Sequence, residues 1–404
     1  MWKTRGYLQS GAHHSLDRAG RRDGLMNVAA STVNDSIVCW SVEPRHSAVQ
    51  LTGGNVTKLN RRDFLCALGA GGAMVGTLLG SGSPPPTSPL AKPISGSWFE
   101  FQHHATVEGV DWNPALANFT SDQWGLKIKE IAETGMEYLV LMATALYYRS
   151  FYRTKIFPAW RLACNDPMEA VLSAADKYGI KFFIGGGFYG QWDSPGIVAD
   201  PVAAKKRLQA IDEITRVYGH HKSFYGWYWP NEAFIDRHFS NEFIDYVNTC
   251  SRLARQLTPR THVMIAPYGT RVAVPDDEYV RQLESLDVDI IAYQDEVGVR
   301  KSRVEETSAF YEGLRNAHDR ARRGALWADL EIFEFENVVY KSALLPAPFE
   351  RILRQIEAVS PWVDKILVYQ YQGIMNKPGS PAFCGSPGST KLYTEYMEWL
   401  KTRE

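Results

Sequence analysis

The sequence lacks most of the signals that would give a function at once. Its five cysteines, Cys39, Cys66, Cys164, Cys250 and Cys384, form no CxxC pair, so neither a metal knuckle nor a disulfide framework can be read. No Gly-x-Ser-x-Gly elbow is present, which argues against a serine hydrolase. No phosphate-cradling loop opens any unit of the fold, and Gly185-Gly-Gly187 alone is a weak signal. Neither sign of charge prevails. With 44 basic and 45 acidic residues the formal net charge is -1, whereas a nucleic-acid footprint needs a clear basic excess. No apolar, glycine-poor stretch reaches the ~20 residues of a stable membrane span.

What the chain has in quantity is aromatic surface: 12% aromatic residues, with 12 tryptophans among 404 residues. Indole faces stack on sugar rings, apolar groups and cations. The densest stretch is Phe224-Tyr-Gly-Trp-Tyr-Trp-Pro-Asn-Glu232. Aromatic residues favour strands, and Pro230 ends the ladder because it donates no N–H. Side chains alternate along a strand, so Tyr228 and Glu232 share one face while Trp227, Trp229 and Asn231 share the other. A carboxylate beside an amide at such a strand end is costly to bury without a task.

The organisation follows from periodicity. Residues 1–57 carry no sustained pattern and read as a disordered extension, or as sequence upstream of the true start, with Val56 as a candidate initiation codon. Residues 58–93 hold Arg61-Arg62-Asp-Phe-Leu65, an apolar glycine-rich run from Cys66 to Leu79, and a Pro/Ser-rich linker. This order is that of an export signal, and the paired arginines resemble the twin-arginine signal of bacteria. It implies the twin-arginine machinery as a partner and a periplasmic or extracellular location. From residue 94 to 404, short apolar runs alternate with amphipathic ones. Eight strands are expected, near 97–102, 136–143, 180–186, 224–229, 262–266, 288–294, 325–330 and 365–370, each followed by a helix. Such alternation implies parallel strands and right-handed crossovers, and eight units predict a (β/α)₈ barrel.

In such barrels the active site lies at the C-terminal strand ends. Those ends carry His103, Trp192, Asn231, Glu232, Tyr268, Gln294, Asp295, Asp329, Glu331, Tyr369 and Tyr371. Trp192, Trp229, Trp327 and Tyr371 are candidates for stacking on sugar faces. Two carboxyls across a mouth can run glycoside hydrolysis, one held protonated and one ionised. Glu232 is expected to be the raised acid because its strand is the drier. Glu331, in Trp327-Ala-Asp-Leu-Glu331, would need a neighbour to stay ionised, with Tyr369 and Gln294 as candidates. His103-His104 shows no third ligand at metal spacing, so neither a metal nor a cofactor is implied. Arg149, Arg153 and Arg161 could hold a uronate or sulfate.

At this point the chain resembles the superfamily of retaining (β/α)₈ glycosidases. There the acid/base follows an Asn at the end of strand four, and the nucleophile is a Glu at the end of strand seven. By that resemblance Glu232 is the acid/base, Glu331 the nucleophile, and Asn231 a partner of the sugar hydroxyl beside the reacting carbon. Tyr225–Glu232, Ile291-Ala-Tyr-Gln-Asp-Glu-Val-Gly298 and Trp327–Glu331 resemble a poorly characterised bacterial domain family within that superfamily. The resemblance covers roughly residues 95 to 404. It implies a carbohydrate substrate and carboxyls about 5–5.5 Å apart. Two other readings stay open: a non-catalytic carbohydrate-binding barrel, and a polysaccharide lyase working through Tyr with Arg or His.

Overall fold

The computed structural model describes residues 91–194 and 196–403. The expected extension and the Arg61-Arg62 export signal lie outside the described residues. In chain order the main elements are β1 (Gly96–Phe99), α1 (Ser121–Ala132), β2 (Tyr138–Leu141), α2 (Pro167–Tyr178), β3 (Lys181–Gly185) and α3 (Pro201–Tyr218). Then follow β4 (Phe224–Tyr228), α4 (Asn241–Leu257), β5 (His262–Ile265), α5 (Asp277–Ser285), β6 (Ile290–Gln294) and α6 (Val304–Ala321). The last are β7 (Ala325–Glu331), α7 (Phe349–Val359), β8 (Lys365–Tyr369) and α8 (Gly388–Lys401). The eight strands close into one barrel in sequential order, all parallel, with β1 pairing both β2 and β8. The expected (β/α)₈ barrel is the fold.

Local chemistry sets the helix starts. The side chains of Asp166, Asp200, Ser240 and Asp276 each accept a backbone N–H three residues on, which satisfies a donor the helix leaves free. Pro167 and Pro201 occupy first helical positions, where their fixed φ is already helical.

Two cores result. Trp98, Tyr138, Val140, Phe183, Tyr228, Met264, Ala292, Trp327 and Leu367 fill the barrel interior. The opposite strand faces pack under the helices in a larger cluster. Close strand approach demands glycine at 226, where a Cβ would meet the His262 carbonyl oxygen at 2.5 Å and the Phe183 ring at 2.6 Å.

The C-terminal face carries additions that the eight-unit pattern did not announce. Asn113–Asn118 is a short helix in the β1–α1 loop. Ala145–Leu146 pairs with Arg149–Ser150, and Phe333–Phe335 pairs antiparallel with Leu344–Pro346. Gly185, Gly187 and Gly190 have the spacing of a dinucleotide loop, but α3 starts only at Pro201. No helix N-terminus therefore follows to meet a phosphate. Among the described residues no helix is long and apolar enough to cross a membrane.

Candidate active site

β4 ends at Tyr228, and Pro230 turns the chain so that Asn231 and Glu232 stand at the barrel mouth. Glu232 Oε1 accepts from the Tyr228 hydroxyl at 2.9 Å, and Oε2 accepts from Gln294 Nε2 at 2.9 Å. Gln294 is itself held by the Ala266 carbonyl at 3.1 Å. Burial pushes the Glu232 carboxyl up to about 7, against the two hydrogen bonds, which favour the anion. Glu232 lines a cavity of about 490 Å³, together with Asn231, His104, Trp192, Phe243 and Tyr268. Asn231 is 4% exposed, yet neither its amide nitrogen nor its amide oxygen has a partner. An amide left unpaired in a cavity wall is free to hydrogen-bond a ligand or water that enters the cavity.

β7 brings a second set of acids. Glu331 is buried at the strand end, and its Oε2 accepts from the Val299 N–H at 2.7 Å. Burial first, then Asp295, raise its carboxyl well above the usual range. The expected partners are elsewhere: Gln294 serves Glu232, and the Tyr369 hydroxyl lies 3.3 Å from Glu100 and 2.9 Å from His103 Nδ1. Asp329, two residues earlier, is buried inside the barrel and raised by burial and by Glu232 and Asp295. The Trp98 indole opposes that shift from nearby, although the indole N–H and Asp329 Oδ1 both lack a hydrogen-bond partner within normal geometry.

Tyr340 stands half-exposed in the loop between the two strands that flank the mouth there. Its phenol is raised by burial and then by Glu331, Glu108, Glu296 and Glu232. Glu232 and Glu331 are thus both close enough to act on the titration of one hydroxyl.

Four of the expected substrate contacts are not at the mouth. Trp229 points outward beneath α4, its indole donating to Ser251 Oγ at 3.0 Å. Trp327 lies low in the barrel interior, edge-on to Tyr138 with ring centroids 4.9 Å apart. Tyr371 follows β8 after the chain has turned away and is fully buried between Lys127 and Tyr393. Asp295 faces α7, where Gln355 Nε2 donates to it at 2.6 Å and the Glu331 and Val297 N–H groups at 3.1 and 3.2 Å. Burial pushes this carboxyl up to about 6. Its neighbour Glu296, not Asp295, pairs with Lys301, at 3.7 Å.

His103 is also withdrawn from the cavity, being 1% exposed. Its Nδ1 lies 3.1 Å from both Glu100 oxygens and its Nε2 3.2 Å from Glu108. Burial works against its charge, but Glu100 and Glu108 together outweigh burial and raise the ring to about 9. His104 is the histidine that reaches the cavity. It meets Trp192 edge-on at 4.4 Å, and burial and His103 lower it to about 3. Arg149, Arg153 and Arg161 are exposed and do not line the cavity. His221 is locked between Asp176 at 2.8 Å and Glu169 at 3.2 Å, while His220 caps the last turn of α3 through the Val217 carbonyl.

The fold and the mouth define a (β/α)₈ barrel with an acid-rich C-terminal face. Residues 94–382 match the family described as "Domain of unknown function (DUF4434)", and the chain belongs to that family. No curated protein sequence matches it. Among solved structures, a Bacteroides thetaiotaomicron VPI-5482 protein provisionally named an alpha-L-fucosidase aligns at 19% identity and TM-score 0.63. The alignment covers 81% of this chain and 99% of that one. A GH2 beta-galacturonidase from Eisenbergiella tayi aligns at 13% identity and TM-score 0.49, over 76% and 51% of the two chains. A GH5_18 variant from Streptomyces cattleya aligns at 13% identity and TM-score 0.48, over 76% and 81%. The first likeness shows the fold; the other two, with their lower scores, carry no argument.

Proposed function

We propose that the protein is a glycoside hydrolase acting on an oligo- or polysaccharide with retention of configuration. The observation that carries this reading is Glu232: a carboxyl raised to about 7 at the wall of a cavity, beside an unpaired Asn231 amide. A general acid working near neutral pH needs that protonation state. Glu232 protonates the leaving oxygen, the glycosidic bond breaks, and Glu331 attacks the anomeric carbon to form a glycosyl ester. Water then hydrolyses the ester with Glu232 as the base. Asn231 holds the hydroxyl next to the reacting carbon. Gln294 orients Glu232, while Trp192 and Tyr268 supply the aromatic walls against which a sugar face packs.

Burial and Asp295 favour the protonated form of Glu331 in the free protein, whereas attack requires the anion. Its proton therefore leaves to solvent before attack, and the positive charge that develops at the anomeric carbon in the transition state is then stabilised by the carboxylate. The twin-arginine-like segment at Arg61-Arg62 supports export, which places the enzyme where extracellular glycans are found.

The test pairs two variants. Glu331→Gly with azide should yield a glycosyl azide of inverted configuration. Glu232→Ala should lose activity on unactivated glycosides but keep it on an activated aryl glycoside. Full turnover by Glu331→Gly without added nucleophile would remove Glu331 from the mechanism.

A further inference from the structure

We propose that His103, His104 and Glu108 bind a transition-metal dication, at a site that opens toward the cavity lined by Glu232. This proposal does not depend on the hydrolase reading. Each of the three residues offers a ligand atom, and these atoms all lie within 4.8 Å of one another. His103 Nε2 and Glu108 Oε2 are 3.2 Å apart. Two ligands at about 2.0–2.2 Å from one ion, at octahedral or tetrahedral angles, are separated by about 2.8–3.6 Å.

The surroundings are those that support a ligating imidazole. His103 turns its other nitrogen to Glu100, 3.1 Å from each oxygen. Glu100 is fixed in turn by Trp112 Nε1 at 2.8 Å, Gln370 Nε2 at 2.7 Å and the Tyr369 hydroxyl at 3.3 Å. A carboxylate behind a histidine orients the ring and makes its free nitrogen a better donor. Glu100 and Glu108 are both buried, and no lysine or arginine forms an ion pair with either among the described residues. Two buried carboxylates share the single imidazole of His103, so their two charges exceed the one that ring can carry, and a dication supplies the balance.

His104 gives the site its opening, because it borders the cavity beside Trp192. The remaining positions on the ion would hold water or a ligand hydroxyl. Two imidazoles with one carboxylate favour zinc, manganese or iron(II) over calcium and magnesium, which prefer oxygen throughout. The other histidine cluster, Glu169, His220 and His221, is a weaker candidate, because two of its three residues, Glu169 and His220, are exposed.

The experiment uses the full chain, stripped with a chelator and titrated with Zn²⁺ and Mn²⁺ by calorimetry alongside thermal melts. A single saturable equivalent is expected, with a rise in Tm on binding. His104→Ala and Glu108→Gln should each weaken binding at least tenfold, and Glu100→Gln should do so through the second layer by ~10–100-fold. X-ray absorption on the loaded wild-type protein covers the case of a variant that does not fold; imidazole nitrogen with oxygen is the expected shell. A folded protein with no saturable binding overturns the proposal, leaving His103 as a bare imidazolium bridge between two carboxylates. So does binding that survives in the His104→Ala/Glu108→Gln double variant or is abolished by His221→Ala, and so does a shell of oxygen alone.

Discussion

Glu232 spends its free energy against its own charge, and that has two measurable consequences. Its carboxyl titrates near 7 in the fold, against 4.5 in the open chain. The folded state therefore binds this proton more tightly than the unfolded one. The stabilising contribution is complete below the unfolded value and is lost as pH rises through the folded one. Glu232→Gln, which cannot ionise, should melt higher than the wild type at pH 8 and match it at pH 4; equal melting at pH 8 would contradict the burial of the charge. In kinetics, kcat/KM should fall as pH rises through about 7, where the acid loses its proton. Gln294 lowers that titration by donating to the anion. Gln294→Leu should accordingly move the alkaline limb of the pH profile upward, and a limb that stayed or moved down would contradict the role of this amide.

The strands explain which expectations survive and which fail. Alternation along β4 separates Trp229 from Glu232, three positions away, and puts the indole under α4. Asp295 fails for the same reason, one position beyond the inward Gln294. Trp327 shares a face with Glu331 but lies four residues earlier, about 13 Å down the strand at ~3.3 Å per residue. Face could be read from the sequence; depth and the direction of the loop after β8 could not, and depth removes Trp327 from the mouth as the loop removes Tyr371. Glu108 and Tyr340 were missed because both sit in insertions where no period runs. Two aromatic substitutions separate the cases. Trp229→Ala should cost ~3–5 kcal/mol of stability in a denaturant melt and leave KM unchanged in the fraction that folds. Trp192→Ala, at the half-buried cavity rim, should raise KM with little change in stability; the opposite pairing of effects would contradict the assignment of walls.

At the scale of the whole molecule, the eightfold alternation of apolar and amphipathic segments carried the architecture, because each strand–helix unit repeats one physical pattern. The mouth was legible only at strand ends, since the decorating hairpins are two or three residues per strand and show no alternation to count. The barrel is closed by its extremes: β1 meets β8 in the register Gly96↔Leu367 and Ser97↔Val368. The Tyr371 N–H donates to Ser97 Oγ across 274 residues of chain, and the Gln372 side-chain amide accepts from the Glu100 backbone N–H and donates to the Glu100 carbonyl. Glu100 in turn steadies His103. During synthesis the first strand therefore emerges from the ribosome long before its second partner exists, with one edge of the growing sheet unpaired. A contact this distant pays its loop-closure entropy late. His103 acquires its support only when the eighth strand has been translated, so a chain cut short before that point lacks an ordered Glu100–His103 pair.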